Sequence, residues 1–225
     1  MNDASMDAFI DGLAEELRPV GRLRSPGLRA AAWVATVAAA AGLLACFSDL
    51  PDLGHRLASV PDMRLAVLGS AATAILGAVA AFHLCLPDGA PRWALLPLPG
   101  LALWIAGTGL GCFRSWLILG LEPATLEETR TCFGFITLLS VPLSALTILM
   151  MRRAYPLRPN LAAAMGGLAV AAAAATLLTF FRPYDVGLTD IAVHAVAVGI
   201  VVLVNRAVGG RLLVPAERDR APTRS

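Results

Sequence analysis

The chain has 225 residues, of which 57% are hydrophobic and only 15% are charged, and its formal net charge is +2. The net charge says little by itself, but the arginines form no basic stripe in the sequence, which argues against direct nucleic-acid binding. Loops of about twenty residues at most separate the apolar blocks, which leaves no room outside them for a soluble catalytic domain of ordinary size.

The N-terminal segment predicts an amphipathic helix of about three to four turns, because apolar and acidic residues recur on different faces. The apolar positions are Met6, Phe9, Ile10, Leu13 and Leu17, and the acidic ones are Asp3, Asp7, Asp11, Glu15 and Glu16. We expect the helix to begin near Asn2 or Asp3 and to end before Arg18, which precedes a proline. A helix this short is only marginally stable in water, so its apolar face must be buried against another structure.

Three structures could bury this apolar face: the bilayer surface, the chain's own loops, or a partner protein. The acidic face argues against the bilayer, because surface helices favour basic residues against anionic lipid. A partner's groove fits the composition better, and folding back on the chain's own loops stays the alternative. On the partner interpretation, the predicted binding residues are Phe9, Ile10, Leu13, Leu17 and Arg18.

Six apolar blocks follow, each close to the roughly 20 residues that a bilayer-spanning helix needs. They run over residues 30–47, 65–86, 93–110, 131–151, 161–181 and 188–204. We therefore predict an all-α membrane protein, a six-helix transmembrane bundle preceded by the amphipathic helix. Its predicted parts are a cytoplasmic arm (1–29), a six-span domain (30–204) and a cytoplasmic tail (205–225) that is disordered at its end.

The arginines predict the orientation of the bundle. All 18 basic residues are arginines; thirteen lie in the arm, the second and fourth loops and the tail, and five lie in the remaining loops. The positive-inside rule then places both termini in the cytoplasm. The alanine-rich, lysine-free composition favours a bacterial source, and hence a multi-pass protein of the bacterial inner membrane.

Several short motifs, in this order, resemble the NrsF-type membrane anti-sigma factors of proteobacteria. The likeness covers nearly the whole chain and depends on the order of the motifs more than on any one of them. The motifs are the stretch 17–26 (LRPVGRLRSP), Cys132-Phe133-Gly134-Phe135, Leu139-Ser140-Val141-Pro142, the stretch 153–159 (RAYPLRP), His194 and Gly210-Arg211-Leu212-Leu213.

The resemblance implies a protein that holds an extracytoplasmic-function sigma factor inactive at the membrane and releases it under a stress sensed outside. It also implicates periplasmic cysteines in sensing metal or oxidative insults. One departure from the family pattern matters: after span five, where a cysteine is usual, this chain reads Phe181-Arg182-Pro183. A cysteine-pair mechanism would need a different partner here.

The predicted topology places the four cysteines on different sides of the membrane. Cys85 falls at the cytoplasmic end of span two, where thiols stay reduced, whereas Cys46, Cys112 and Cys132 fall near the outer surface. Cys112 and Cys132 are the candidate redox-sensing pair, since a crosslink between them would close a loop of about twenty residues and constrain the unfolded chain by roughly 3 kcal/mol. The alternative is that they are small apolar residues at helix ends.

Asp190 and His194 form a possible polar pair, because they lie one helical turn apart on the same face of span six. Such a pair could serve function or simply helix packing. Neither this spacing nor that of His83 and Cys85 is a metal signature, so no metal, cofactor or catalytic residue is predicted.

Enzymatic and transport functions fit less well. The chain has no zinc-protease, phosphate-loop or serine-hydrolase motif. A membrane thiol oxidoreductase would need a reactive C-x-x-C pair, and a transporter would usually carry ionisable groups at midplane. These remain the alternatives to a regulator whose partners are a sigma factor and the lipid bilayer, without direct contact to nucleic acid.

Overall fold

The computed structural model describes residues 24–86, 89–119, 126–152, 154, 156–181 and 188–213, together with residues 7, 11 and 12. Within these residues the chain forms seven α-helices and no β-strand. They are α1 (Pro26–Ala45), α2 (Leu50–Ser59), α3 (Pro61–His83), α4 (Leu98–Leu119), α5 (Leu126–Arg152), α6 (Pro159–Leu178) and α7 (Leu188–Leu212), and a short 3₁₀ helix (Pro91–Leu95) precedes α4.

Six of these helices, all except α2, are long and apolar enough to cross a membrane. They coincide with the six predicted blocks, so the all-helical class and the number of candidate spans are confirmed. The sequence did not predict α2, which has ten residues. Asp49 directly precedes this helix and caps it, since the Asp49 side chain accepts a 3.1 Å hydrogen bond from the Asp52 amide. This cap, with Pro51 in the first turn, explains why a helix forms where the sequence suggested a loop.

Side-chain contacts show that α1 and α5 run in opposite directions, as do α3 and α4. Arg29 at the start of α1 contacts Met150 at the end of α5, while Asp62 at the start of α3 forms a 3.1 Å ion pair with Arg114 near the end of α4. We call the end of the bundle that contains Arg29 the arm end, because residues 1–25 precede it, and the opposite end the distal end.

The most enclosed helix is α6, in which 72% of the apolar stretch is buried, against 11% in α7. Its alanines and glycines let α3, α5 and α7 approach closely. A methyl group added at Gly167 would lie 2.9 Å from the Asn205 side chain of α7, and one at Gly166 would lie 2.9 Å from Thr147 of α5. Close backbone approach between small residues is the usual basis of helix association in lipid.

Helix α7 extends beyond the predicted sixth span. It continues from Val204 to Leu212, although the apolar block ends where Asn205 and Arg206 begin. Asn205 is buried, and its amide donates 2.8 Å hydrogen bonds to the Ser144 hydroxyl and to the Val201 carbonyl. A polar residue inside the bundle therefore does not end the helix, since its hydrogen bonds are satisfied.

Before residue 24, the N-terminal arm is described at three positions only. Residues 7, 11 and 12 are helical and exposed. The predicted binding residues Phe9, Ile10, Leu13, Leu17 and Arg18 lie outside the described residues, as does the tail beyond Leu213. The amphipathic helix of the arm stays a prediction.

Candidate functional site at the arm end

The arm joins the bundle through a capped helix start. The Ser25 hydroxyl accepts a 3.3 Å hydrogen bond from the Leu28 amide, and Pro26 occupies the first turn of α1. Serine followed by proline is a favourable combination at a helix N-terminus. The point where the arm meets the bundle is thus fixed locally by its own sequence.

Arg29 fixes this point to the rest of the bundle. The residue is only 8% exposed, and its guanidinium donates a hydrogen bond to the Met150 carbonyl. Met150 lies in the last turn of α5, where carbonyl groups lack partners within the helix and carry partial negative charge. A buried cation at this position therefore caps α5 as well as holding α1.

The same guanidinium contacts α3 through an aromatic ring. Its central carbon lies 4.9 Å from the centre of the Phe82 ring, which is fully buried. A cation over an aromatic face is attracted by the ring quadrupole, and the attraction grows when both groups are desolvated. One side chain at the base of the arm thus connects the ends of α1, α3 and α5.

Cys85 lies next to this cluster and is buried. Burial raises the pKa of the Cys85 thiol to about 11, and the nearby charge of Arg29 offsets part of that rise. The protonated form therefore dominates at neutral pH, which makes Cys85 an inert packing residue. Its location among the helix ends of the arm end agrees with the sequence prediction for this cysteine.

Polar links along α5 extend the cluster into the bundle. The Trp33 indole donates a 2.8 Å hydrogen bond to the Thr147 hydroxyl, and Asn205 donates to Ser144 at the same distance. Ser144, Thr147 and Met150 follow one another at intervals of three residues, so they lie along one side of α5. Helix α5 is therefore the common partner of α1 and α7, and it carries Pro142 just before these contacts.

The surface of the arm end carries exposed basic and apolar groups beside the base of the arm. Arg152 and Arg158 are exposed, and Leu157 is 73% exposed. Next to these exposed residues, Met151 and Ala154 are buried in the same cluster as Phe82 and Cys85. The fourth loop is thus anchored by its apolar residues while it presents Arg152, Leu157 and Arg158 outward.

Sequence reasoning missed the role of Arg29, which it counted only as one of thirteen orienting arginines. A usable signal was present: Arg29 is the one charged residue between Pro26 and Ala45. A charge in the first turn of an apolar helix, directly before the apolar block, is costly unless it is paired. The pairing partners come from α3 and α5, which no local pattern could identify.

The predicted sensing cysteines belong to the distal end. Cys112 is half-buried in α4 with a free thiol, two residues before the Arg114 that pairs with Asp62. Cys132 is located within α5, but its side chain lies outside the described residues, so the predicted pair remains a prediction. Cys46, at the distal end of α1, is free and exposed.

The predicted polar pair is likewise only half described. His194 is half-buried within α7, whereas the Asp190 side chain, one turn earlier, lies outside the described residues. The hydrogen bond between them stays a prediction.

Comparison with known proteins identifies one family. The family model NrsF, described as "Negative regulator of sigma F", matches residues 13–214, which is most of the chain and includes every described helix. No curated protein and no solved structure gives a significant match.

Proposed function

Since the chain belongs to the NrsF family of negative regulators of sigma F, its partner is a sigma factor, and we propose that it sequesters an extracytoplasmic-function sigma factor at the bacterial inner membrane. In this proposal the six long helices span the membrane, and the arm binds the sigma factor in the cytoplasm. The observation that carries the proposal is the family match over residues 13–214 together with six helices long enough to span.

The orientation follows from the charges at the two ends. Of the eleven arginines whose side chains the structure describes, seven lie at the arm end and four at the distal end. The positive-inside rule assigns the arm end to the cytoplasm. Both termini then face the compartment in which a sigma factor is found.

The arm supplies the contact in this proposal. Phe9, Ile10, Leu13 and Leu17 form the apolar face that binds a groove of the sigma factor, and Arg18 follows them. Arg29 holds the base of the arm against α3 and α5, so the sigma factor is retained close to the membrane surface. The exposed Arg152, Leu157 and Arg158 are available as a second contact.

Release of the sigma factor begins, we propose, at the distal end. A periplasmic stress acts on Cys112 and Cys132, which belong to α4 and α5. A change in the position of α5 would reach the arm end through Thr147 and Met150, which contact Trp33 and Arg29 of α1. The signal would thereby alter how the arm is presented.

Co-purification in detergent tests the sequestration. The full-length protein is compared with a version lacking residues 1–22, which keeps the Ser25 cap and Arg29, and with Phe9→Asp. Asp11→Asn, a change on the exposed acidic face of the arm, is the matched control.

We expect the intact protein and Asp11→Asn to retain one sigma factor, and the shortened protein and Phe9→Asp to lose it. Retention by the shortened protein would show that the arm is not the contact. If the intact protein retained no sigma factor, sequestration itself would be wrong.

A further inference from the structure

An apolar groove runs along the bundle between α1, α3 and α6. Its cavity volume is about 310 Å³, and α2 closes it at the distal end. Its walls include Val37 of α1, Ile75 of α3 and Leu177 of α6, while Leu53 and Leu57 of α2 form the distal cover and Trp33 lies at the other end. Along α1 the lining extends from Trp33 to Ala41, about 12 Å at the rise of an α-helix.

The lining offers no polar group to a ligand. The two threonines in the wall, Thr176 and Thr179, donate to the carbonyls of Ala172 and Thr176 at 2.9 and 2.7 Å. The Trp33 indole donates to Thr147, outside the groove. A bound water needs two to four polar partners, so water is not a stable occupant of this groove.

An unfilled groove would leave its wall without contacts on one side. Protein interiors are close-packed, and side chains that face a void lose dispersion attraction outright. The occupant must therefore be apolar.

We propose that this groove binds one acyl chain of a membrane phospholipid, an inference that rests on the membrane-spanning arrangement proposed above. Exposed Ala38 and Ile75 lie at its rim, so the groove opens sideways toward the lipid that surrounds the spans. The occupant of the groove therefore comes from the surrounding lipid, which the groove faces.

Helix α2 indicates the depth at which the headgroup of the bound phospholipid lies. Leu53 packs into the bundle, while Asp52 and Arg56 form a 2.8 Å ion pair on the same short helix. A helix that is apolar on one side and charged on the other lies at the bilayer surface. The phospholipid headgroup then sits at the level of α2 in the distal leaflet, and the acyl chain extends along α1 toward Trp33.

The bound chain completes the packing of the helix that carries the arm. Helix α1 is exposed along much of its length, and its buried residues are Arg29, Ala30 and Trp33, all near the arm end. Farther along α1, Val34 and Val37 are only partly buried against the core of α3 and α6, so a chain in the groove adds contacts there. The lipid acts as a structural ligand for α1.

Fluorescence quenching by brominated lipid tests this site. The full-length protein keeps Trp33 alone, with Trp93, Trp104 and Trp116 replaced by Phe, and is reconstituted into phosphatidylcholine vesicles whose acyl chains are brominated, in separate preparations, near the carboxyl end or toward the methyl end. Trp33 lines the inner end of the groove and is otherwise enclosed by protein, so bromine comes close to it only on a chain that enters the groove. A second protein keeps only Trp116, which is 50% exposed and reports ordinary contact with lipid.

We expect brominated lipid to quench both tryptophans. The substitutions Ala71→Leu and Ala38→Leu, which each place bulk in the groove, should remove most of the quenching of Trp33. Ala195→Leu, an exposed position on α7 outside the groove, should leave it unchanged.

Quenched Trp116 with unquenched Trp33 would overturn the site while leaving membrane insertion intact. Quenching of Trp33 that survives both groove-filling substitutions would also overturn it. If Trp116 were not quenched, the membrane-spanning arrangement would fail, and the lipid site with it.

Discussion

Arg29 lies over the ring of Phe82, with 4.9 Å between the guanidinium carbon and the ring centre, and the same guanidinium donates to the carbonyl of Met150. The contact between Arg29 and Phe82 joins helices α1 and α3, and the hydrogen bond to Met150 joins α1 to α5. Arg29 is the last residue of the segment that we propose as the sigma-binding arm. A charged side chain that joins three helices at the arm end thus lies at the base of the arm.

Replacing Arg29 by Met should destabilise the bundle. The substitution keeps an apolar stem but removes the charged hydrogen bond to Met150 and the contact with Phe82. We expect a loss of about 1–3 kcal/mol in the free energy of unfolding, measured by denaturation in mixed detergent. Repression of the sigma factor should weaken in the same variant, because the arm is no longer held.

Arg24→Met is the matched control. Arg24 is exposed and precedes α1, so this change removes the same charge without breaking a contact in the bundle. Equal unfolding curves for the two variants would show that Arg29 serves only as an orienting charge.

The hydrogen bond between Trp33 and Thr147 should contribute measurably to stability. Trp33→Phe removes a 2.8 Å donor, whereas Thr147 keeps its own bond to the Leu143 carbonyl. Hydrogen bonds between membrane helices contribute about 0.6 kcal/mol on average and up to about 1.7 kcal/mol. We expect a coupling energy in this range from a double-mutant cycle with Thr147→Val.

Thr36→Val serves as the control for the cycle, because the Thr36 hydroxyl is exposed and bonds only within α1. A coupling near zero between Trp33 and Thr147 would mean that their hydrogen bond adds nothing to the stability of the bundle.

The sequence predicts the six long helices well, because the length and apolarity of a span are local properties. It does not predict how far α1 and α7 extend past their apolar blocks. Arg29 and Asn205 interrupt the hydropathy pattern, yet both are buried and paired with side chains or carbonyls from other helices. Those partners are more than 50 residues away in sequence, so only the tertiary structure shows that these polar residues are satisfied.

Helix α2 was missed for a related reason. A ten-residue segment that mixes leucines with Asp52, His55 and Arg56 looks like a polar loop when it is judged by hydropathy. Its leucines become interpretable only when α1, α3 and α6 provide the groove that they cover. Short interfacial helices depend on packing more than on propensity.

Glycine positions on α4 should differ sharply in their tolerance of alanine. A methyl group added at Gly107 would run into the Ala66 backbone of α3, whereas one at Gly109 would meet nothing within 4 Å. We expect Gly107→Ala to cost about 1–3 kcal/mol through overpacking. Gly109→Ala should leave stability unchanged or slightly higher, because alanine is the better helix former.

The measurement is the unfolding midpoint of each variant in the same detergent mixture. Equal midpoints would indicate that α3 and α4 are farther apart than the structure places them.

Thiol labelling should separate Cys85 from Cys46. Cys46 is exposed, while Cys85 is buried and its pKa is raised to about 11 by that burial. Only the thiolate reacts, so at pH 7–8 maleimide should label Cys46 rapidly and Cys85 only after unfolding. The labelling of Cys85 in the folded protein should rise as the pH approaches 11.

Mass spectrometry of each labelled cysteine, with and without denaturant, gives the two rates. Similar rates in the folded protein would contradict the buried position of Cys85.

The sensing proposal makes a separate prediction for the distal cysteines. Cys112→Ser and Cys132→Ser should each change induction of the sigma factor's target genes by an oxidant or by cadmium, because either variant removes one half of the proposed pair. Cys46→Ser is the control, since Cys46 is an exposed thiol of the same end of the bundle. A reporter fused to a target promoter measures the response, and basal repression in each variant shows that the arm still holds its partner. Normal induction in both Ser variants would return Cys112 and Cys132 to the alternative role of small apolar residues that pack near helix ends.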